Sequence, residues 1–233
     1  MKKTMKRAQY ASAYGNPVLA KRILANEEED DMLEDIMSGD KNWHCITSEI
    51  IYLRGVISTK KTDQLIKHIL YVNSDMPTMP AINLFIDSVG GDMQAALGLI
   101  AVMRASTIKI NTIAIGSCSS AALMIAMAGE YRYVDKYCSI MSHIFSTGNG
   151  GMLKPEEIDN WLRSVSMART TMVSHYEDCT GLTSEIITEN LLHSKNDVYL
   201  TAEEAINYNM FDYLYTEYAE IHANGRDILI EED

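Results

Sequence analysis

The chain has 233 residues and a mass of 26.1 kDa, with 47% hydrophobic residues, which is enough to bury a substantial core in one α/β domain. Its 32 acidic against 20 basic residues give a net charge of −12, which opposes a phosphate backbone, so no nucleic-acid partner is expected. No apolar run approaches the roughly 20 residues that span a bilayer, so no membrane span is expected either.

Four cysteines, Cys45, Cys118, Cys138 and Cys179, show neither a C-x-x-C pair nor zinc-ligand spacing. They read as reduced thiols of a cytoplasmic protein, Cys118 and Cys138 as small core residues. Residues 1–48 are set apart as an N-terminal extension. It begins basic, with Lys2, Lys3, Lys6, Arg7, Lys21 and Arg22, and turns acidic at Glu27-Glu-Glu-Asp-Asp31. Such a segment reads as a mobile arm with a solvated charge run rather than as a targeting peptide. The compact domain is expected over 49–216, with 217–233 as a tail.

Along that domain, 50–55 reads as a strand stopped by glycine, and Leu65, Ile66, Ile69 and Leu70 place a helix over 62–72. Two prolines and turn formers make 73–80 a loop. An apolar strand follows at 82–86 and runs into the turn Gly90-Gly91. Ala96, Leu97, Ile100 and Met103 mark a helix over 93–104, and β-branched residues mark a strand over 109–115. Strand, helix and strand in that order imply a right-handed βαβ unit and a largely parallel sheet.

Gly116-Ser-Cys-Ser-Ser-Ala-Ala then leads into the apolar run 123–128. Short strands at 131–134 and 139–141 flank His143, and 146–151 is a glycine-rich loop. Pro155 opens a long helix to about Asp178, acidic in its first turn. A further helix covers 183–192, a strand begins at Asp197, and Thr201 with Glu204 caps a helix over 202–208.

A serine on a tight strand-to-helix turn, a histidine, a carboxylate and nearby backbone N–H groups are what acyl transfer requires. Ser120 has a helix start and a following amide beside it, but Ser117 and Ser119 are rivals that local sequence leaves open. Taken singly, His143 after an apolar strand and Asp197 at a strand start have ordinary structural readings; the order Ser, His, Asp is the signal. Gly90-Gly91 lacks the G-x-G-x-x-G pattern and the lysine of a phosphate loop, so nucleotide binding is not expected. No histidine–carboxylate cluster has metal spacing, and no metal is expected.

These segments together resemble the ClpP family of caseinolytic serine peptidases, over about 49–216. Residues 82–91, Ile-Asn-Leu-Phe-Ile-Asp-Ser-Val-Gly-Gly, resemble the family's I-x-L-x-I-N-S-P-G-G strand and turn. Residues 116–122, Gly-Ser-Cys-Ser-Ser-Ala-Ala, resemble its G-Q-A-A-S-M-G, which puts the nucleophile on Ser120. Ser139-Ile-Met-Ser-His143 resembles the strand that ends in the family's catalytic histidine. Asn196-Asp-Val-Tyr-Leu-Thr-Ala-Glu-Glu-Ala205 resembles its R-D-x-F-L-T-A-x-E-A segment, which makes Asp197 the carboxylate that orients His143.

The resemblance implies a crotonase-like α/β fold with βαβ units, a parallel sheet and a long handle helix. It implies oxyanion donors at the N–H groups of Gly91 and Ala121, and polypeptide substrates. It also implies a homo-oligomer of rings of six or seven subunits that can stack in pairs, fed by an AAA+ unfoldase. On that reading the chain needs no cofactor of its own, since ATP is used by the unfoldase. Val89 stands where the family has proline, Asp87 where it has asparagine and Ala121 where it has methionine; such departures suit a divergent member, phage-encoded or accessory. Lys195 and Asn196 also stand where the family has an acid-arginine pair used between rings, and with the changes around the nucleophile they motivate an alternative, a structural or regulatory ring subunit with little activity. An acyl-CoA enzyme on the same fold is a third reading, which would need a CoA-binding surface.

Overall fold

The computed structural model describes residues 49–145, 155–193 and 196–215. The expected arm, the expected tail and the glycine-rich loop at 146–151 lie outside the described residues. Within them, β1 (Ile50–Arg54), β2 (Ala81–Ser88) and β3 (Lys109–Ser119) pair in parallel, joined by helices α1 (Thr59–Asp75) and α2 (Met93–Ala105). These are the two crossover units that alternating strand and helix patterns demand. The fold is the α/β arrangement expected of the ClpP resemblance: a mostly parallel sheet carrying helices.

α1 runs three residues beyond the expected helix end, into the stretch read as loop. The cause is Asn73, whose Nδ2 donates to the Ile69 carbonyl at 2.7 Å and whose Oδ1 accepts the Thr107 N–H at 2.8 Å. A residue scored as a turn former thus serves to tie the helix end to the loop before β3.

β3 departs most from expectation. It does not stop at Ile115 but continues to Ser119, and it feeds two branches. Its first part, Thr112 to Ala114, pairs with β4 (Arg132–Val134), which pairs with β7 (Tyr213–Leu214). Its last part, Ser117 to Ser119, pairs with β5 (Ser139–Ser142). β5 pairs in turn with β6 (Val198–Leu200), antiparallel, the one reversal in a sheet otherwise parallel among the described residues.

α3 (Ala121–Met127) follows directly and is buried along its whole length. Against it lies α4 (Pro155–Thr180), the long helix, whose Met172 and Tyr176 enter the core. The stretch read as one helix over 183–192 is a short α turn, α5 (Ser184–Ile186), continued by a π-helical turn over Ile187–Leu191. α6 (Ala202–Asn207) opens on a complete capping box, Thr201 with Glu204, as its sequence predicts.

The main core joins Ile51, Leu53, Leu84 and Ile86 of the sheet to Leu65, Leu99 and Ile125 of the helices. A second apolar group forms around Ile113 and Tyr133, with Phe85, Ile115, Tyr213 and Tyr215 packed on it. Cys118 and Cys138 are buried, as core cysteines should be. No helix among the described residues is long and apolar enough to cross a membrane.

Candidate active site

Two strand registers assemble the site. Ser119 pairs with Met141 in parallel, and the Ser120 N–H donates to the Met141 carbonyl at 2.8 Å, so Ser120 and His143 emerge at the same end of neighbouring strands. β5 and β6 pair antiparallel, Ile140 with Leu200, Met141 with Tyr199 and Ser142 with Val198, and the same register carried one residue past the ladder sets His143 opposite Asp197. A short β6 is therefore enough to deliver the carboxylate, provided its register is held.

The side chains meet accordingly. His143 Nε2 lies 2.7 Å from Ser120 Oγ, and His143 Nδ1 lies 3.5 Å from Asp197 Oδ1. For Nε2 to accept the serine proton, the neutral ring must carry its own proton on Nδ1, the nitrogen that faces the carboxylate. The first contact is a short hydrogen bond, and the second is a charge-pair approach longer than an ordinary N–H···O hydrogen bond. The His143 side chain keeps 20% of its surface exposed and that of Asp197 51%, so the line runs from a sheltered serine to a solvated carboxylate.

Ser120 sits at φ 56°, ψ −124°, in the positive-φ region that residues with a Cβ avoid. Such strain, held by the burial of α3 on one side and β3 on the other, puts the hydroxyl at the point of a sharp turn. Ser117 and Ser119 remain in the strand, with their hydroxyls 3.5 Å apart and Ser119 buried. Of the three serines, Ser120 is the one brought to a histidine.

The Gly-Gly turn packs on the serine turn. A Cβ on Gly90 would stand 2.7 Å from the Ser119 carbonyl oxygen and 2.8 Å from Ser120 Cβ, and one on Gly91 would stand 2.4 Å from the Ile57 oxygen. Neither position tolerates a side chain. The Ile57 N–H donates to the Gly90 carbonyl at 2.8 Å and the Asp92 N–H to the Ile57 carbonyl at 3.1 Å, so the N–H of Gly91 between them points away from that bridge. Among the described residues, neither it nor the Ala121 N–H at the start of α3 finds a backbone acceptor.

Two supports escaped the sequence reading. Ser88, fully buried, donates through Oγ to the Gly55 carbonyl at 2.6 Å and accepts the Gly90 N–H at 3.1 Å, which fixes the entry to the Gly-Gly turn. Behind His143, Ser142 Oγ and Tyr176 Oη share a buried hydrogen bond of 2.9 Å that pins the end of β5 to α4. Burial raises the Tyr176 phenol far above its usual range, so it stays protonated. The available signal was hydroxyl residues beside the singled-out glycine and histidine, on strand faces otherwise apolar. Among the described residues no group of three metal-ligating side chains gathers.

Residues 38–217 match the family model for Clp protease. The chain is 28% identical over 181 residues to ATP-dependent Clp protease proteolytic subunit 2 of Corynebacterium efficiens, covering 77% of this chain and 88% of that one. It is 29% identical over 171 residues to the ATP-dependent Clp protease proteolytic subunit of Dehalococcoides mccartyi, covering 72% of this chain and 82% of the other. A match over that span, on a mostly parallel sheet with a long helix, settles the relationship: the chain belongs to the Clp protease family, as a divergent member.

Proposed function

We propose that the chain is the proteolytic subunit of a Clp-type protease, a serine endopeptidase in which Ser120 is the nucleophile, His143 the general base and acid, and Asp197 the residue that orients the histidine. The observation that carries this reading is the 2.7 Å contact between His143 Nε2 and the hydroxyl of a strained Ser120. Ser120 Oγ attacks a peptide carbonyl as its proton passes to His143 Nε2, and the carbonyl oxygen takes up negative charge. The Gly91 and Ala121 N–H groups receive that oxygen. His143 then protonates the leaving amine, and water, deprotonated by the same nitrogen, releases the acyl group.

The setting we assign is a homo-oligomeric chamber fed by an AAA+ unfoldase, acting on polypeptides in the cytoplasm. α4 leaves Ile158, Leu162 and Met167 exposed, an apolar surface that packing against other copies would cover. The relatives named above are ATP-dependent subunits, while this chain has no phosphate-loop motif, so ATP use would fall to a partner. The peptidase unit would be 49–216.

A serine-directed phosphonate tests the chemistry. The native chain should gain one adduct, located on Ser120, and cleave small peptides, while Ser120→Ala should do neither. Native mass spectrometry of the same samples reads subunit number. A folded, assembled oligomer that takes no phosphonate and cleaves nothing would overturn the peptidase reading in favour of a structural ring subunit.

A further inference from the structure

Asp87 belongs to the segment that ends in Gly90-Gly91, yet the Ser-His-Asp line does not use it. β2 and β3 pair residue for residue from Ala81 with Lys109 to Ile86 with Ala114, and pairing then resumes at Ser88 with Cys118. Where β2 places Asp87 alone, β3 places Ile115, Gly116 and Ser117, which is a bulge.

The Asp87 side chain occupies that bulge. Its Oδ1 accepts the Ser117 N–H at 3.2 Å, and a Cβ on Gly116 would stand only 2.7 Å from the same oxygen. Its Oδ2 accepts from Tyr52 Oη at 3.4 Å and faces Arg54 Nε at 3.4 Å, while its own carbonyl accepts the Gly55 N–H at 2.9 Å. Burial, and then the Asp87 charge, raise the Tyr52 phenol, which keeps it a donor. The Arg54 side chain is 71% exposed, so the ion pair adds little, and the Ser117 amide is the partner that matters.

The register beyond the bulge shows what is at stake. From the pair Ser88 with Cys118, three residues lead to Gly91 on one strand and three to Ala121 on the other. Without the two extra residues, β3 would bring Cys118 and Ser119 level with Gly90 and Gly91. At about 3.3 Å per residue, Ser120 would then lie roughly 6–7 Å out of place.

We propose that Asp87 is a positioning residue whose carboxylate holds the β3 bulge at Gly116 and Ser117 and so sets Ser120 and Ala121 level with Gly90 and Gly91. The inference rests on the reading of Ser120 as nucleophile for its consequence and on the strand register for its cause, and the two can be measured apart.

The cause is read by hydrogen exchange of the Ser117 amide in the full-length chain, and the consequence by the rate of phosphonate labelling and the kcat and KM for a short peptide. Asp87→Asn keeps an acceptor at Oδ1 and should hold amide protection and labelling near native values. Asp87→Ala should expose the Ser117 amide and slow labelling and kcat about a hundredfold with KM little changed, the scale of a reacting group displaced by about 1 Å. Asp87→Glu, one methylene longer against Gly116, should fall with the alanine variant.

Native exchange and labelling rates in both the alanine and glutamate variants would overturn the proposal. So would an asparagine variant that drops as far as alanine, since the charge and not the acceptor would then matter. Failure of both alanine and glutamate variants to fold would make Asp87 a determinant of the whole fold and equally refute a local role. If the native chain takes no phosphonate, the nucleophile reading has failed; loss of Ser117 protection in Asp87→Ala would still uphold the bulge clamp, and unchanged protection would sink it.

Discussion

The two arms of the Ser120–His143–Asp197 line are built at different depths. Ser120 stands between an 11-residue strand that is hydrogen-bonded on both sides and a helix with no exposed residue, and its contact to His143 is 2.7 Å. Asp197 precedes a strand of three residues at the end of the sheet, is half exposed, and stands 3.5 Å from the ring it faces. Ser120 and its contact to His143 are thus fixed by the core, Asp197 by one short antiparallel register. Electrostatic help weakens as solvent enters, so the inner arm should carry most of the rate.

Kinetics of single variants would break or sharpen that contrast. In triads whose members act as a unit, loss of the serine or histidine costs about 10⁶ in kcat and loss of the carboxylate about 10⁴. Ser120→Ala and His143→Ala should show the full loss here. Asp197→Ala, with its long and solvated contact, should cost only about 10²–10³ in kcat, since the part of the penalty that comes from a buried partner is missing. Steady-state peptide hydrolysis by the three variants measures this, and equal losses would show that the outer arm tightens fully when substrate is bound.

The inner arm should also be the one that tolerates no backbone change. Gly90→Ala introduces a Cβ 2.7 Å from the Ser119 oxygen at φ +92°, where a side chain is strained regardless of space. We expect a loss of about 1–3 kcal/mol of stability and about a hundredfold in kcat. Chemical denaturation and peptide hydrolysis read the two effects, and a variant with native values in both would show that the Gly-Gly turn can move away from Ser120 freely.

Legibility in the sequence follows the same division. β2, α2 and the start of β3 were readable because buried apolar residues recur there at strand or helix spacing, and that periodicity is what burial selects. Ser120, His143 and Asp197 could be named only through ordered resemblance, since each residue alone has an ordinary structural use. The continuation of β3 past Gly116 was not readable: Gly-Ser-Cys-Ser-Ser has turn composition, and the ladder that extends it is made by Ser88 and Ile140, residues 30 and 22 positions away. Nor was the antiparallel reversal at β6, because three residues carry no directional signal.

A smaller effect separates local support from catalysis on the outer side. Thr201 accepts the Glu204 N–H at 3.2 Å while Glu204 accepts the Thr201 N–H at 2.8 Å, closing the cap of α6 just after β6. Thr201→Ala should cost about 1 kcal/mol, the usual value of an N-cap. If β6 depends on α6 for its register, kcat should fall with it, as for a partial loss of Asp197. A drop in melting temperature with unchanged kcat would show that β5 alone holds the carboxylate in place.

The smallest expected effect tests how firmly α3 is held from the far side. His175 on α4 is buried, with Nε2 2.8 Å from the Met124 carbonyl of α3 and Nδ1 3.3 Å from Arg104 Nη2 of α2; Cys179 Sγ lies 3.7 Å from Nε2, and Asp178 pairs with the same arginine. The Met124 carbonyl can only accept, so Nε2 carries the proton and Nδ1 accepts from the guanidinium. Burial is the main force that lowers the His175 pKa; Arg104 adds to it, while the Met124 hydrogen bond and Asp178 oppose. A second proton would put an N–H against the guanidinium, so the folded chain resists protonation of His175. The unfolded chain binds that proton near the ordinary value of 6.5. Between the lowered value and 6.5 the unfolded state therefore holds more protons, and stability rises with pH. The contribution is complete above 6.5 and drains away as pH falls through the lowered value. Melting temperatures from about pH 7.5 down to about pH 5 should thus fall more steeply for the native chain than for His175→Gln. The glutamine variant cancels the slopes of all other groups in the difference. Parallel curves would mean that α4 yields to admit the charged ring, and that the wall behind α3 is softer than its burial indicates.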